Sequence, residues 1–228
     1  MFGQPISLGN FFGLHVRVDT TLLIMLLMYA VQGAANGGGT EGIIHDLTFA
    51  ALVLISVFLH EYGHAVAGSL FGIGTVEVVL HFFGGHTQYA SAPRTPLQEA
   101  VMSGAGPATN LALAGTSWAI MEFIDAQHMQ SLYPLFGLLQ PFWFINFYLG
   151  LLNLLPGFPL DGGGILRAIL SLFIRRAQAR LIAAYSGVAI GFAIAAYNFP
   201  AFTSQTILGL LLVYIASMEV NDARRSMM

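Results

Sequence analysis

The chain has 228 residues, of which 56% are hydrophobic and only 8% charged, with a formal net charge of −3. A soluble domain carries about a quarter charged residues, so this chain lacks the groups to cover itself in water, and part of its solvent is lipid. Its eight basic residues are all Arg and leave the balance slightly acidic, which excludes a nucleic-acid partner. With no Cys there is no disulfide, iron–sulfur cluster or thiolate metal site, so any metal is held by His, Asp or Glu.

Six apolar segments approach the roughly 20 residues that a bilayer crossing needs: 18–32, 47–71, 97–124, 133–156, 181–198 and 202–218. They predict an all-α polytopic membrane protein, a single domain over residues 1–228. The first segment is the shortest and is extended backwards through residues 14–17. Reading it as a cleaved leader fits poorly, because the stretch before it is long and already apolar at Phe11 and Phe12, and Asp19 follows. Residues 33–42, rich in Gly, read as a flexible external linker. Residues 74–90 place β-branched and aromatic residues on either side of Gly84-Gly85 and read as a β-hairpin. No strand lies open to lipid, so this hairpin is expected to be covered by protein or to sit at the interface.

Six spans with the N-terminus inside put Arg17, Arg94, Arg167, Arg175, Arg176, Arg180, Arg224 and Arg225 on the cytoplasmic side. The other side holds Glu41, Asp46, Glu122 and Asp125 and no Arg. That split follows the excess of basic residues in cytoplasmic loops, and one span more or fewer destroys it. An integral protein of the cell's inner or plasma membrane with both termini cytoplasmic is the expectation.

His60-Glu61-Tyr62-Gly63-His64 lies inside the second span. Imidazoles four residues apart share one helix face, and Glu61 is turned about 100° from His60. In an HExxH arrangement the two His bind zinc and the Glu takes a proton from the attacking water. Soluble helices match this pattern by chance with merely exposed His. Within a membrane span, unpaired polar groups are expensive and usually functional. A carboxylate third ligand is expected, because two neutral His leave the metal's charge uncompensated. Asp161 is the candidate. It follows Asn153-Leu-Leu-Pro156-Gly-Phe-Pro159-Leu, where two Pro interrupt the helix near the cytoplasmic end of the fourth span. The alternative is an Asp that only caps a helix.

His60-Glu61-Tyr62-Gly63-His64 together with Asn153…Pro156…Pro159-Leu160-Asp161-Gly162 resembles the site-2 proteases, zinc metalloproteases that cut within membranes. Gly104-Ala105-Gly106-Pro107-Ala108-Thr109-Asn110 is similar to the family's GPxxN segment, and Phe83-Gly84-Gly85 to another family feature. The resemblance implies one zinc ion on His60, His64 and Asp161, with Glu61 as general base and later proton donor. It implies that Asn153 binds substrate backbone or the developing oxyanion, and it places a catalytic core at about residues 47–173. The implied partners are a transmembrane protein substrate and the bilayer, and the implied setting is regulated proteolysis within membranes. The additional PDZ or CBS domains of many family members have no counterpart segment here. Asn110 and Gly106 read as packing elements. His45, His81, His86 and His128 read as ordinary polar groups, with His86 near the substrate path.

Two rival classes remain at this stage. A metal transporter fits broken helices and intramembrane acids, but the chain shows one compact ligand cluster and no inverted repeat. A pseudoenzyme that binds helices without cutting fits less well, because every expected catalytic residue is present.

Overall fold

A computed structural model of the chain describes residues 5–11, 13–35, 39–81, 84–197 and 204–227. Packing divides the chain into two compact units, residues 1–92 with 108–150 and residues 93–107 with 151–228.

The first unit is built on a four-stranded sheet of order β1-β2-β3-β4, with β1 at Ile6–Phe11, β2 at Leu14–Val18, β3 at Thr75–His81 and β4 at Gly84–Tyr89. β1 and β2 form one antiparallel pair, β3 and β4 another, and β2 runs parallel to β3 with Val16 opposite Val78. A parallel pair needs a long crossover. Here it is two helices, α1 at Thr21–Gly33 and α2 at Gly39–Leu70. Val16, Val57, Val78 and Leu80 are the buried centre, with Leu14, Val18, Val53, Phe58 and Leu149 packed around them.

The hairpin expected over 74–90 is present as β3 and β4. Strands β1 and β2 extend that hairpin into a sheet, and residues 14–17 belong to a strand rather than to a backward extension of the first span. Leu14-His15-Val16-Arg17-Val18 alternates apolar and polar side chains, the period of a half-buried strand. The glycine-rich linker is also shorter than expected, since α1 runs to Gly33 and α2 starts at Gly39. A Cβ on either Gly33 or Gly42 would collide with the other's main chain, so these two glycines are where the helices touch. Residues 36–38 and Phe83, the first residue of the Phe-Gly-Gly feature, lie outside the described set.

Helix α3, Pro96–Ala126, begins in the second unit and ends in the first, and α4, Phe136–Asn153, leaves the first unit after Gly150. A 3₁₀ turn over Gln130–Leu135 leads into α4. The second unit continues with α5 at Asp161–Leu170, α6 at Arg176–Tyr197 and α7 at Ser204–Arg225. Small residues of α6 seat the non-helical segment 154–160: the Phe158 N–H donates to the Ala183 carbonyl at 3.0 Å, and a Cβ on Gly157 would lie 2.6 Å from the Gly187 main chain. Buried Glu99 accepts from Arg167 and, at 2.8 Å, from Arg176, while Arg180 grips both carboxylate oxygens of Glu219.

Among the described residues, four helical stretches are long and apolar enough to cross a membrane: Gly39–Leu70, Gln130–Asn153, Arg176–Tyr197 and Gln205–Arg225. Six segments were expected. α1 is apolar but only 13 residues long, and α3 has the length while Gly, Ser, Thr, Gln and acidic residues dilute its hydropathy.

Candidate metal centre

Helix α2 starts eight residues earlier than the hydropathy run, so His60 stands 21 residues from its first residue and 10 from its last. At helical rise the ligand pair is about 15 Å from the helix's C-terminal end. His60, Glu61 and His64 are 5%, 5% and 7% exposed, so all three are buried polar groups in an apolar helix, which is affordable only when each is satisfied.

The two imidazoles present Nε2 atoms to each other at 3.1 Å. Two nitrogens each 2.0–2.1 Å from a tetrahedral zinc stand about 3.3 Å apart, so the spacing fits two ligands of one ion. The His60 Nδ1 atom faces the other way and is hydrogen-bonded to Asn110 Oδ1. Metal-ligating His residues characteristically use the second ring nitrogen like this. Asn110 is fully buried, and so are its neighbours Asn146 on α4 and Ser56 on α2. Asn110 Nδ2 lies 2.7 Å from Asn146 Oδ1 and 3.3 Å from the Ser56 carbonyl. Asn110, read from sequence as packing, therefore holds a proposed ligand.

Glu61 is held by the sheet. Thr87 Oγ1 lies 2.8 Å from Glu61 Oε2, and Tyr89 donates its hydroxyl proton to the His64 carbonyl at 3.2 Å. Gly85, Thr87 and Tyr89 occupy alternate positions of β4 and turn towards α2, while His86 and Gln88 between them are exposed. Gly85 has no substitute here: a Cβ would lie 2.7 Å from Glu61 Cγ and 3.0 Å from Oε1. The carboxylate is thus seated against bare backbone on one side, with a hydroxyl on one oxygen.

Asn153 and Asp161 belong to the second unit. Asn153 ends α4 and Asp161 opens α5, as the two Pro predicted for the helix break. Leu160 is the N-cap residue, with no side-chain cap bond, and Asp161 is the first residue of the helix. In the first turn it faces the positive end of the helix dipole. It also lines a cavity of about 170 Å³ with Ser103, Phe158, Arg167, Arg180 and Glu219.

Of the remaining His residues, His45 is exposed and pairs with Asp46 at 2.9 Å. The rings of His81 and His86 lie 5.8 Å apart on the hairpin, and burial, with His86 adding repulsion, holds His81 below the ordinary imidazole range. Asn146, Ser56, Thr87 and Tyr89 escaped the sequence reading. For Asn146 a signal existed, an amide in the otherwise apolar run Phe142–Gly150. Thr87 is invisible without the fold, because nothing local relates it to Glu61.

Comparison with known proteins gives the chain a family and a fold. The pattern of peptidase family M50 matches residues 48–131 and 122–196. The chain is 33% identical over 176 residues to Rip3 of Mycobacterium tuberculosis, a protein provisionally named a zinc metalloprotease, covering 73% of this chain and 44% of that one. It is 27% identical over 212 residues to a zinc metalloprotease of Methanocaldococcus jannaschii, covering 93% and 59% respectively. The chain thus spans about half the length of these relatives. A solved site-2 protease from Methanocaldococcus jannaschii has the same fold, with a TM-score of 0.71 over 95% of both chains at 24% identity.

Proposed function

The chain belongs to peptidase family M50, and from that premise we propose that it is a zinc metalloprotease hydrolysing peptide bonds in or beside transmembrane segments of other membrane proteins. The observation that carries the reading is the buried pair of Nε2 atoms 3.1 Å apart with a buried glutamate between them in sequence. His60, His64 and Asp161 hold the ion in this reading, and Asp161 supplies the negative charge that two neutral imidazoles lack. Zinc, when bound, polarises the scissile carbonyl and brings the pKa of a water near 7.

The chain's own residues do the rest. Glu61 accepts a proton as the water oxygen adds to the carbonyl carbon, and gives it to the amine nitrogen as the C–N bond breaks. Thr87 and Gly85 keep its carboxylate turned for both transfers. The Asn153 amide donates to the oxygen that gains charge. The buried setting of the His pair keeps bulk solvent out.

A substrate must give up helix to expose its carbonyls. In this sheet β3 is paired on both sides and Val78 is fully buried, so that strand offers no free edge. The open edge beside Glu61 is β4. We assign it as the strand on which an unwound segment pairs.

The six-crossing topology with cytoplasmic termini belongs to this reading. The parallel β2–β3 pair supports it, since two strands in one sheet need an even number of crossings between them, which α1 and α2 supply.

The test is purified protein in detergent micelles, assayed for zinc and for cleavage of peptides carrying an apolar helix. One zinc per chain, cleavage abolished by a chelator, and zinc retained without cleavage in Glu61→Gln are the expected results. Asp161→Asn should lower the zinc content. A wild type without zinc, or a Glu61→Gln variant that still cuts, overturns the assignment.

A further inference from the structure

The amide network behind His60 has a direction, and it is written by main-chain carbonyls. The Phe142 carbonyl can only accept, and Asn146 reaches it at 2.8 Å through Nδ2. The same Nδ2 donates to Ser56 Oγ at 2.9 Å, whose own proton goes to the Leu52 carbonyl at 2.8 Å. Asn146 must therefore point its oxygen at Asn110, 2.7 Å away. That oxygen and the Ser56 carbonyl, 3.3 Å away, both accept, so the Asn110 end facing them is its NH₂ group. What remains for His60 is Asn110 Oδ1, an acceptor, and its partner Nδ1 is then the nitrogen that carries the proton. The lone pair is left on Nε2, the atom facing His64.

We infer that Asn110 and Asn146 are positioning residues for the metal, fixing the His60 ring as the Nδ1–H tautomer with Nε2 ready to ligate. The inference rests on the zinc reading above and extends it to Asn146, which reaches the His60 ring only through Asn110. The relay draws on α2, α3 and α4, and Ser56, Asn110 and Asn146 are all fully buried. Because no water competes there, an amide that turned over would set NH₂ against the Nδ1 proton. It would push that proton to Nε2, where it blocks the metal. The directional set of bonds therefore selects one tautomer before any ion arrives.

Zinc alone is the probe, titrated into metal-free protein in micelles against a competing chelator. Asn110→Leu is expected to weaken zinc binding by about ten- to a hundredfold, and Asn146→Leu by about tenfold on the same ground. Asn110→Asp separates positioning from packing. Its carboxylate still accepts from Nδ1 but cannot donate to Ser56 or Asn146, so zinc affinity is expected to stay within about threefold of wild type while the melting temperature falls. Nitrogen NMR of metal-free protein with labelled His reads the tautomer directly. The His60 signals, identified by their loss in His60→Gln, are expected as Nδ1–H in wild type and Asn110→Asp, and as a mixture in Asn146→Leu.

Undiminished zinc affinity in Asn110→Leu overturns the inference, and so does an Asn110→Asp variant that binds as weakly as Asn110→Leu. A wild type that takes up no zinc overturns the protease reading instead, and the tautomer of the metal-free ring still decides the relay.

Discussion

Glu61 is the residue whose surroundings are most specific. Its carboxylate is buried, seated on Gly85 and bonded through one oxygen to Thr87. A flexible glutamate loses rotamer freedom on being ordered, and β4 supplies that order within the fold. Loss of a hydrogen bond to a charged group is worth roughly tenfold or more in rate, so Thr87→Val is expected to lower kcat by about that factor with KM and zinc content unchanged, and Thr87→Ser to restore it. Steady-state kinetics on a cleaved peptide checks this; a Thr87→Val enzyme with wild-type kcat removes the role. Gly85→Ala is expected to be worse than Thr87→Val, because the added methyl must displace the carboxylate itself. Glu61→Gln removes the proton acceptor and should cost on the order of 10²–10⁴ in kcat.

At the level of elements, β4 does two things with one alternation. Gly85, Thr87 and Tyr89 hold α2, and β4 ends the sheet, with no strand paired on its outer edge among the described residues. A Gln88→Pro change leaves those three side chains in place but damages the edge, and is expected to raise KM for a peptide substrate while zinc content stays at one per chain. Unaltered KM would argue for docking elsewhere. The hairpin also carries a pH signature. His81 sits below its ordinary range, first through burial and then through His86. A His with a lowered folded-state pKa favours the fold while neutral, so this stabilisation is complete above about pH 6.5 and is lost as pH falls below it. Thermal unfolding between pH 8 and pH 5 should show a drop in midpoint that is smaller in His81→Gln. The hairpin was legible from β-branched residues around a Gly pair. Its partners β1 and β2 were overlooked because an apolar arm next to a membrane span reads as more span, and only the pairing of Val16 with Val78 settles which it is.

For the whole molecule, topology is the open quantity with the most direct check. The chain has no Cys, so single introduced cysteines give unambiguous labels. Ser7→Cys and Ser91→Cys are expected to react only from the cytoplasmic side, and Thr40→Cys and Gln127→Cys only from the opposite side. A label at residue 40 reached from the same side as residue 7 removes α1 as a crossing. Composition alone determined that part of the solvent is lipid, because too few groups are charged to cover the chain in water, and spacing alone determined that two imidazoles share one face of an apolar helix with a glutamate beside them, because that is a property of five consecutive residues and of helical geometry. Proline chemistry likewise announced the break between Asn153 and Asp161. The tertiary structure decided which residues serve that helix. Asn110 and Asn146 lie 50 and 86 residues from His60, and Thr87 lies 26 residues from Glu61. A hydrogen bond depends on ångström-scale placement that no local periodicity encodes, so only the assembled helices and strand show that buried amides bond the His60 ring and that a strand hydroxyl bonds Glu61.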